Sequence, residues 1–345
     1  MTSKIVRIQL LALGAFLLTL ATVNCTPHFA LDGNYTNSNV HSGFRKQDVD
    51  DFNPFDFFLT YDETNQWMDA LFAKYPEQCT INTIGQSYEG RVINAIIINP
   101  TQVKTVILVA NLQGREWASM TSAIYIIHEL IRNSKSYPQA ANFRWIIVPI
   151  SNPDGYEYTR AEDRNWNKNR VPKLDDNVGV DLNRNFGYMW ELLTNDEDAN
   201  PNRETYRGMK PFSEPESRAI KDLLVMNEDA YLYVDMHVGG QLILIPWGYT
   251  DKPAPNANFL RSVAQAGSSA ILSRTSQYYI VGTLGELFNH QPGTSMDYCY
   301  SIGIKVCVEI RLTSEELVND PKNIIPHGQE ALAAVLAMAV KVNGP

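Results

Sequence analysis

Short apolar runs rich in β-branched residues, alternating with longer amphipathic segments, constrain the fold of this chain most strongly. Residues 92–98 and 105–110 are two such runs, and each has the length of a buried strand. Further strands of this kind are predicted at 145–150, 232–236, 242–245 and 304–310. Helices are predicted at 60–75, 118–132, 213–226, 258–272 and 326–340. Buried strands that alternate with helices predict an α/β fold, with a mixed, mostly parallel central sheet covered by helices on both faces.

Polar residues that could share one site stand where three of the apolar runs end. Gln113 and Glu116 follow the second predicted strand. His237 ends the strand at 232–236, and Glu309 ends an apolar run further along the chain. In an open α/β sheet the ligand crevice lies beyond the carboxyl ends of the strands. We therefore expect these side chains to converge at one edge of the sheet.

Composition and charge limit the class of protein. The chain has 345 residues, of which 44% are hydrophobic and 19% charged. This supply of apolar residues is enough for a large core, and we predict one domain over residues 53–345. The formal net charge is −9 and the sequence has no basic cluster, which argues against nucleic acid as a partner.

The N-terminal residues 1–25 have the pattern of a signal peptide. Lys4 and Arg7 precede an apolar run that continues to about Val23. The alternative is a signal anchor that stays in the membrane, but the apolar run is short for a membrane span. We predict a secreted, extracellular protein with no membrane attachment after cleavage, and a polar leader over residues 26–52.

Four cysteines occur in the chain, and cleavage after Cys25 would leave three, so that at least one thiol is unpaired. Cys307 lies in an apolar run and is predicted to be a buried small hydrophobic residue.

Five short motifs resemble those of the zinc carboxypeptidases of the pancreatic A/B type, in the order and spacing of that family. They are GQSYEGR at 85–91, NLQGREW at 111–117, SNPDGY at 151–156, DLNRNF at 181–186 and VEIR at 308–311. The resemblance extends over residues 53–342. It implies a carboxypeptidase-like domain and a metalloprotease site that releases C-terminal residues from peptides.

The metal-binding positions implied by the resemblance are Gln113, Glu116 and His237, and the family has a histidine where Gln113 stands. A catalytic zinc site needs three protein ligands and an open position for water. An amide oxygen is a poor zinc ligand, and losing the imidazole should cost on the order of a thousandfold in affinity, or ~4 kcal/mol. Zinc is therefore expected to be weakly bound or absent. The alternative is a structural Gln113 that hydrogen-bonds Glu116 or His237.

The catalytic positions are altered in the same way. Glu309 matches the general base of the family, but without a metal it has no activated water to deprotonate, and it could instead pair with Arg115. Asn167 stands where the family has the arginine that stabilises the oxyanion, a loss worth roughly 10²–10³ in rate. The neighbouring Lys168 is predicted to be a solvated loop residue. Asn289 replaces the tyrosine that closes over the substrate.

The substrate-binding positions are better preserved. Asn183 and Arg184 match the pair that holds the C-terminal carboxylate of a peptide, and a planar guanidinium suits that role. Arg115 matches a further substrate contact. Met296 occupies the position that sets side-chain preference, which implies either an apolar pocket or a filled core.

The sequence thus predicts a secreted zinc-carboxypeptidase homologue with a decayed site, which binds peptide or protein C-termini without catalysis. Whether it is an enzyme stays open. The alternatives are an active metallocarboxypeptidase that releases apolar C-terminal residues, with Gln113 as an atypical zinc ligand, and an interaction protein that uses another surface.

Overall fold

A mixed eight-stranded sheet organises the described part of the chain. The computed structural model describes residues 49–173, 178–192, 198–288, 290–313 and 320–344. Within these ranges the strands are β1 (Cys79–Gln86), β2 (Val92–Ile98), β3 (Thr105–Ala110), β4 (Arg144–Val148), β5 (Leu232–Val238), β6 (Leu242–Ile245), β7 (Ile280–Thr283) and β8 (Cys307–Leu312). Their spatial order is β1-β2-β4-β3-β5-β8-β6-β7. The pairs β3–β4, β3–β5, β5–β8 and β6–β7 are parallel and the other three are antiparallel, which confirms the predicted mixed sheet.

Helices pack on both faces of this sheet, as predicted. They are α1 (Tyr61–Lys74), α2 (Trp117–Arg132), α3 (Pro153–Ala161), α4 (Pro215–Val225), α5 (Ala257–Thr275), α6 (Leu284–Leu287), α7 (Ser295–Ser301) and α8 (Ile324–Asn343). Alternate residues of a strand point to opposite faces. Accordingly, Val234 of β5 belongs to the apolar cluster with α2 and α8, whereas Tyr233 belongs to the cluster with α4 and α7. The residues of both clusters are buried.

The strands β3, β5 and β8 lie side by side and run parallel, so their carboxyl ends meet at one edge of the sheet. This confirms the expected convergence of the three apolar runs. Two predicted strand ends were wrong: β5 continues to Val238 and β8 to Leu312, so His237 and Glu309 lie inside their strands and not at their ends. In β8 the reason is that Ile310 and Leu312 extend the apolar pattern on the opposite face.

Cys299 and Cys307 form a disulfide bond, and Cys79 is a free, buried thiol. The prediction that Cys307 is only a buried small residue was therefore wrong, because the turn after α7 brings Cys299 beside it. Among the described residues, no helix is both long and apolar enough to cross a membrane. The predicted signal peptide, residues 26–48 of the predicted leader, and Asn289 lie outside the described residues.

Candidate functional site

A polar cleft of about 200 Å³ lies at the carboxyl ends of β3, β5 and β8. Most of the residues predicted for the site contribute to its lining, which comprises Gln113, Arg115, Glu116, Asn167, Asp181, Asn183, Arg184, Glu204, Thr205, His237, Val238, Gln291 and Arg311. A larger groove of about 770 Å³ lies between α5 and α8, but none of the residues predicted for the site lines it.

The loop from β3 to α2 sets the positions of Gln113 and Glu116. Asn111 adopts a left-handed backbone conformation with φ of 58°, and its side-chain amide donates to the carbonyls of Gln113 and Gly114 at 3.2 and 3.3 Å. Gly114 packs so closely on Gly155 that a Cβ would lie 2.6 Å from a backbone atom of that residue. The loop is thus held by its own side chain and by a close backbone contact, with Glu116 placed at the N-cap of α2.

Gln113 is bonded to an acid from a different loop. Its Nε2 donates to the two carboxylate oxygens of Asp181 at 3.2 and 3.3 Å. The predicted alternative partners, Glu116 and His237, are not the ones it uses. Asp181 caps the short 3-10 turn Leu182–Arg184 by accepting from the Asn183 backbone N–H, which fixes its carboxylate toward the cleft.

The remaining two predicted ligands contact each other directly. His237 Nδ1 lies 2.7 Å from Glu116 Oε2, and both side chains are almost fully buried. On the other side of the ring, Nε2 lies 3.1 Å from Asp235 Oδ2 and 2.9 Å from the Asn183 amide nitrogen. Burial opposes a charged ring, but Asp235, Glu116 and Glu309 outweigh it and hold the pKa of His237 well above its ordinary value. Burial also raises the pKa of Glu116, against the opposing effect of His237.

Glu309 lies beneath the cleft and does not line it. Its Oε1 accepts from Arg311 Nε at 2.5 Å, and the carboxylate has no exposed surface. The alternative partner proposed from the sequence, Arg115, was wrong, because Arg311 is two residues away on the same face of β8. Burial would raise the pKa of Glu309, but Arg311 and then His237 lower it below its ordinary value.

Asn167 and Lys168 are both buried. The Asn167 side chain donates to the Glu204 carbonyl at 3.3 Å, and its backbone N–H donates to the Glu204 carboxylate at 3.2 Å. Lys168 Nζ donates to the Pro201 carbonyl at 2.9 Å, and burial lowers its pKa. The prediction of a solvated Lys168 was therefore wrong.

The predicted carboxylate-binding residues differ in their surroundings. Arg184 lines the cleft and lies 3.8 Å from Asp181 and 3.6 Å from Asp198, both longer than a direct hydrogen bond. The amide of Asn183 is used in both directions, because its oxygen accepts from the Ser295 backbone N–H while its nitrogen contacts His237. Met296 is fully buried in the apolar core and does not line the cleft.

Comparison with known proteins identifies the family. A model of the zinc carboxypeptidase family matches residues 64–334. A zinc carboxypeptidase of Simulium vittatum is 32% identical over 81% of this chain and 95% of its own length. Carboxypeptidase B of Astacus astacus is 30% identical over the same two shares. The chain belongs to the zinc carboxypeptidase family.

Solved structures of zinc carboxypeptidases have the same fold. Carboxypeptidase A of Helicoverpa armigera superposes with a TM-score of 0.77 at 29% identity, covering 84% of this chain and 74% of that one. Bovine thrombin-activatable fibrinolysis inhibitor, in complex with a tick carboxypeptidase inhibitor, superposes with a TM-score of 0.78 at 26% identity, covering 84% and 99%. These findings confirm the resemblance drawn from the motifs. Family membership implies zinc as cofactor and hydrolysis as the reaction of the family.

Proposed function

We propose that this chain is a secreted zinc-carboxypeptidase homologue that binds the C-termini of peptides or proteins without hydrolysing them. The observation that carries the proposal is the 2.7 Å contact between Glu116 and His237. These are two of the three side chains at the family's metal position, and they are hydrogen-bonded to each other. The third, Gln113, offers a neutral amide.

The donor set does not fit a catalytic zinc ion at that position. The amide nitrogen of Gln113 is bonded to Asp181, and the amide oxygen is a weaker ligand than the imidazole it replaces. Zinc binding there would also have to break the hydrogen bond between Glu116 and His237. Zinc held through Glu116 is therefore weak or absent in this proposal, and no catalytic step is assigned to it.

The groups that would act on a substrate are also engaged elsewhere. Glu309 is closed off from the cleft by its ion pair with Arg311, so it does not reach a water molecule in the cleft. Asn167 is neutral and directs its side-chain nitrogen to the Glu204 carbonyl. An uncharged, buried amide stabilises an oxyanion less well than the arginine of the family, at a cost of roughly 2.7–4 kcal/mol in the barrier.

Binding of a carboxylate needs fewer of the family's site residues than catalysis does. Arg184 and Arg115 both line the cleft, and a guanidinium recognises a carboxylate through paired hydrogen bonds. The acids near Arg184 lie at 3.6 and 3.8 Å, so a peptide carboxylate that makes direct hydrogen bonds would compete favourably with them. The carboxypeptidase that binds a tick inhibitor gives a precedent for a protein partner on this fold.

The alternative is an active metallocarboxypeptidase that releases apolar C-terminal residues. Its support is the retention of Glu116 and His237 and the similarity to relatives named as carboxypeptidases. The polar lining of the cleft and the burial of Met296 argue against an apolar specificity pocket.

A hydrolysis assay separates the two functions. The protein is incubated with peptides ending in Phe or Leu, with zinc added in one series and a chelator in the other, beside an active carboxypeptidase A as control. We expect no release above the buffer background in either series. Release of the terminal residue that requires zinc and is abolished by the chelator would establish the active alternative and contradict this proposal.

A further inference from the structure

Four ionisable side chains on β5 and β8 form a compact group at the base of the cleft. Asp235 pairs in register with Glu309, and His237 pairs in register with Arg311, on neighbouring parallel strands. Residues two apart in a strand point to the same face, so all four lie on one face of the sheet. The Asp235 and Glu309 carboxylates are fully buried, and neither residue lines the cleft.

Two carboxylate oxygens in this group lack a hydrogen-bond partner. Within the described part of the chain, Asp235 Oδ1 and Glu309 Oε2 are buried and accept no hydrogen bond. Their companion oxygens are used, since Asp235 Oδ2 accepts from the Ser295 hydroxyl and Glu309 Oε1 accepts from Arg311. A buried polar atom without a partner is costly, and an unexplained one points to a bound water or ion.

The charges that meet at His237 are also unbalanced, because Arg311 is already paired with Glu309. One imidazole ring, that of His237, serves two buried carboxylates, with Glu116 at Nδ1 and Asp235 at Nε2. A single imidazolium carries one positive charge, so it cannot neutralise both. Buried charges in proteins are paired or coordinate metals, because an uncompensated ion is poorly solvated there.

We propose that Asp235, His237 and Glu309 bind a divalent cation, at a site that shares His237 with the family's metal position but uses Asp235 and Glu309 in place of Gln113 and Glu116. Each of the three offers a ligand atom, and these atoms all lie within 4.8 Å of one another. Two carboxylate oxygens and one imidazole nitrogen suit Zn²⁺ or Mn²⁺. This cation would join β5 to β8 at the base of the cleft, because His237 lines the cleft whereas Asp235 and Glu309 do not.

The test is metal binding by purified protein that has been stripped with a chelator. Calorimetric titration with ZnCl₂ and, separately, MnCl₂ gives affinity and stoichiometry, and elemental analysis after dialysis checks the stoichiometry. We expect about one ion per chain for at least one of the two metals. Asp235→Asn and Glu309→Gln, which keep side-chain size, should each weaken binding by more than about tenfold, because even loss of an outer partner of a metal ligand costs that much.

Gln113→Ala is the matched control, since it alters the family's metal position and removes no hydrogen bond to Asp235, His237 or Glu309. We expect its metal affinity to stay close to that of the unaltered protein. Glu116→Gln removes the carboxylate that is hydrogen-bonded to the ligand His237, so it should weaken binding, but less than Asp235→Asn does. Circular dichroism of each stripped variant establishes that it is folded. Absence of binding by either metal would overturn the proposal, because a proton on His237 would then be the compensating charge. Binding that is lost in Glu116→Gln but kept in Asp235→Asn would also overturn it and would place the ion at the family's position. Binding that requires Asp235 leaves the proposed lack of catalysis untouched.

Discussion

Replacing Arg311 with methionine should destabilise the fold because it leaves the buried Glu309 carboxylate without its ion-pair partner. Arg311 Nε lies 2.5 Å from Glu309 Oε1, and Glu309 has no exposed surface. Breaking a buried ion pair by removing one partner typically costs about 3–5 kcal/mol. The chain can escape part of this cost by protonating Glu309 in the folded state.

Protonation of Glu309 limits how much stability the variant can lose at neutral pH. An unfolded glutamate has a pKa of about 4.3, so keeping the carboxyl protonated at pH 7 costs about 3.7 kcal/mol. We therefore expect Arg311→Met to lower the free energy of unfolding by about 3–4 kcal/mol at pH 7, a range consistent with both the cost of a broken ion pair and the cost of protonation. Urea unfolding followed by tryptophan fluorescence, in the presence of a chelator so that no divalent ion contributes, measures this difference.

The sign of the pH dependence follows from the pKa of Glu309. In the unaltered protein Arg311 holds it below its ordinary value, so the ion pair stabilises the fold above that value and is lost as the pH falls. In the Arg311→Met variant, burial raises the pKa of Glu309, so the loss of stability relative to the unaltered protein is larger at pH 7 than at pH 5. This loss in the free energy of unfolding should shrink by about 2.7 kcal/mol between pH 7 and pH 5.

A second substitution controls for the loss of packing by the arginine side chain. Adding Glu309→Gln to Arg311→Met removes the unpaired charge, so the double variant should be more stable at pH 7 than the single one. A loss below about 1 kcal/mol for the single variant, or a loss that does not change between pH 7 and pH 5, would refute the reasoning.

Two further predictions concern the replaced catalytic positions and the buried acid Glu216. Gln113→His alone should give zinc binding that depends on Glu116, but little hydrolysis. Adding Asn167→Arg should raise hydrolysis of a peptide ending in Phe far more than either change alone. Full turnover from Gln113→His alone would mean that Asn167 matters less than proposed. Burial raises the pKa of Glu216 to about 7, so its charge destabilises the fold as the pH rises from 5 to 8. Glu216→Gln should therefore gain stability over the unaltered protein at pH 8 relative to pH 5 in urea unfolding, and an equal difference at both pH values would contradict this.

The sequence predicted the interior of the sheet better than its edges. The bounds of β2 and β3 match the predicted strands, because both are buried and their apolar runs end sharply. The edge strands β1 and β7 were not predicted, since half-exposed strands carry polar residues and lack a continuous apolar run. Helix α3 was also missed, because its opening Pro-Asp-Gly is typical of a turn.

The convergence of the three residues at the family's metal position was predictable, but the contacts of the site were not. Gln113, Glu116 and His237 converge as expected, because strand order in a parallel sheet brings the ends of β3 and β5 together. The bond from Gln113 to Asp181 and the ion pair of Glu309 depend on loop conformation and strand register, which composition does not encode.

Asp235 had no signal in the sequence that distinguished it from a residue of an ordinary strand. It lies in the interior of the buried β5, two residues before His237, and only the register with β8 sets it beside Glu309. Met296 could be read as a pocket residue or a core residue, and the packing of α7 puts it in the core.

The most direct test of the proposed function is calorimetric binding of one peptide in two forms, with a free C-terminal carboxylate and with that carboxylate amidated. We expect the free form to bind with a Kd of ~10–1,000 μM and the amidated form to bind far more weakly. Arg184→Ala should weaken the free form by about 10–100-fold, since charge-assisted hydrogen bonds contribute about 1.5–3 kcal/mol, and should leave the amidated form nearly unchanged. Arg261→Ala, which removes a half-exposed arginine outside the cleft, is the matched control and should change neither affinity. Equal affinity for the two forms, unchanged by Arg184→Ala, would contradict the account and would mean that the cleft no longer binds C-termini.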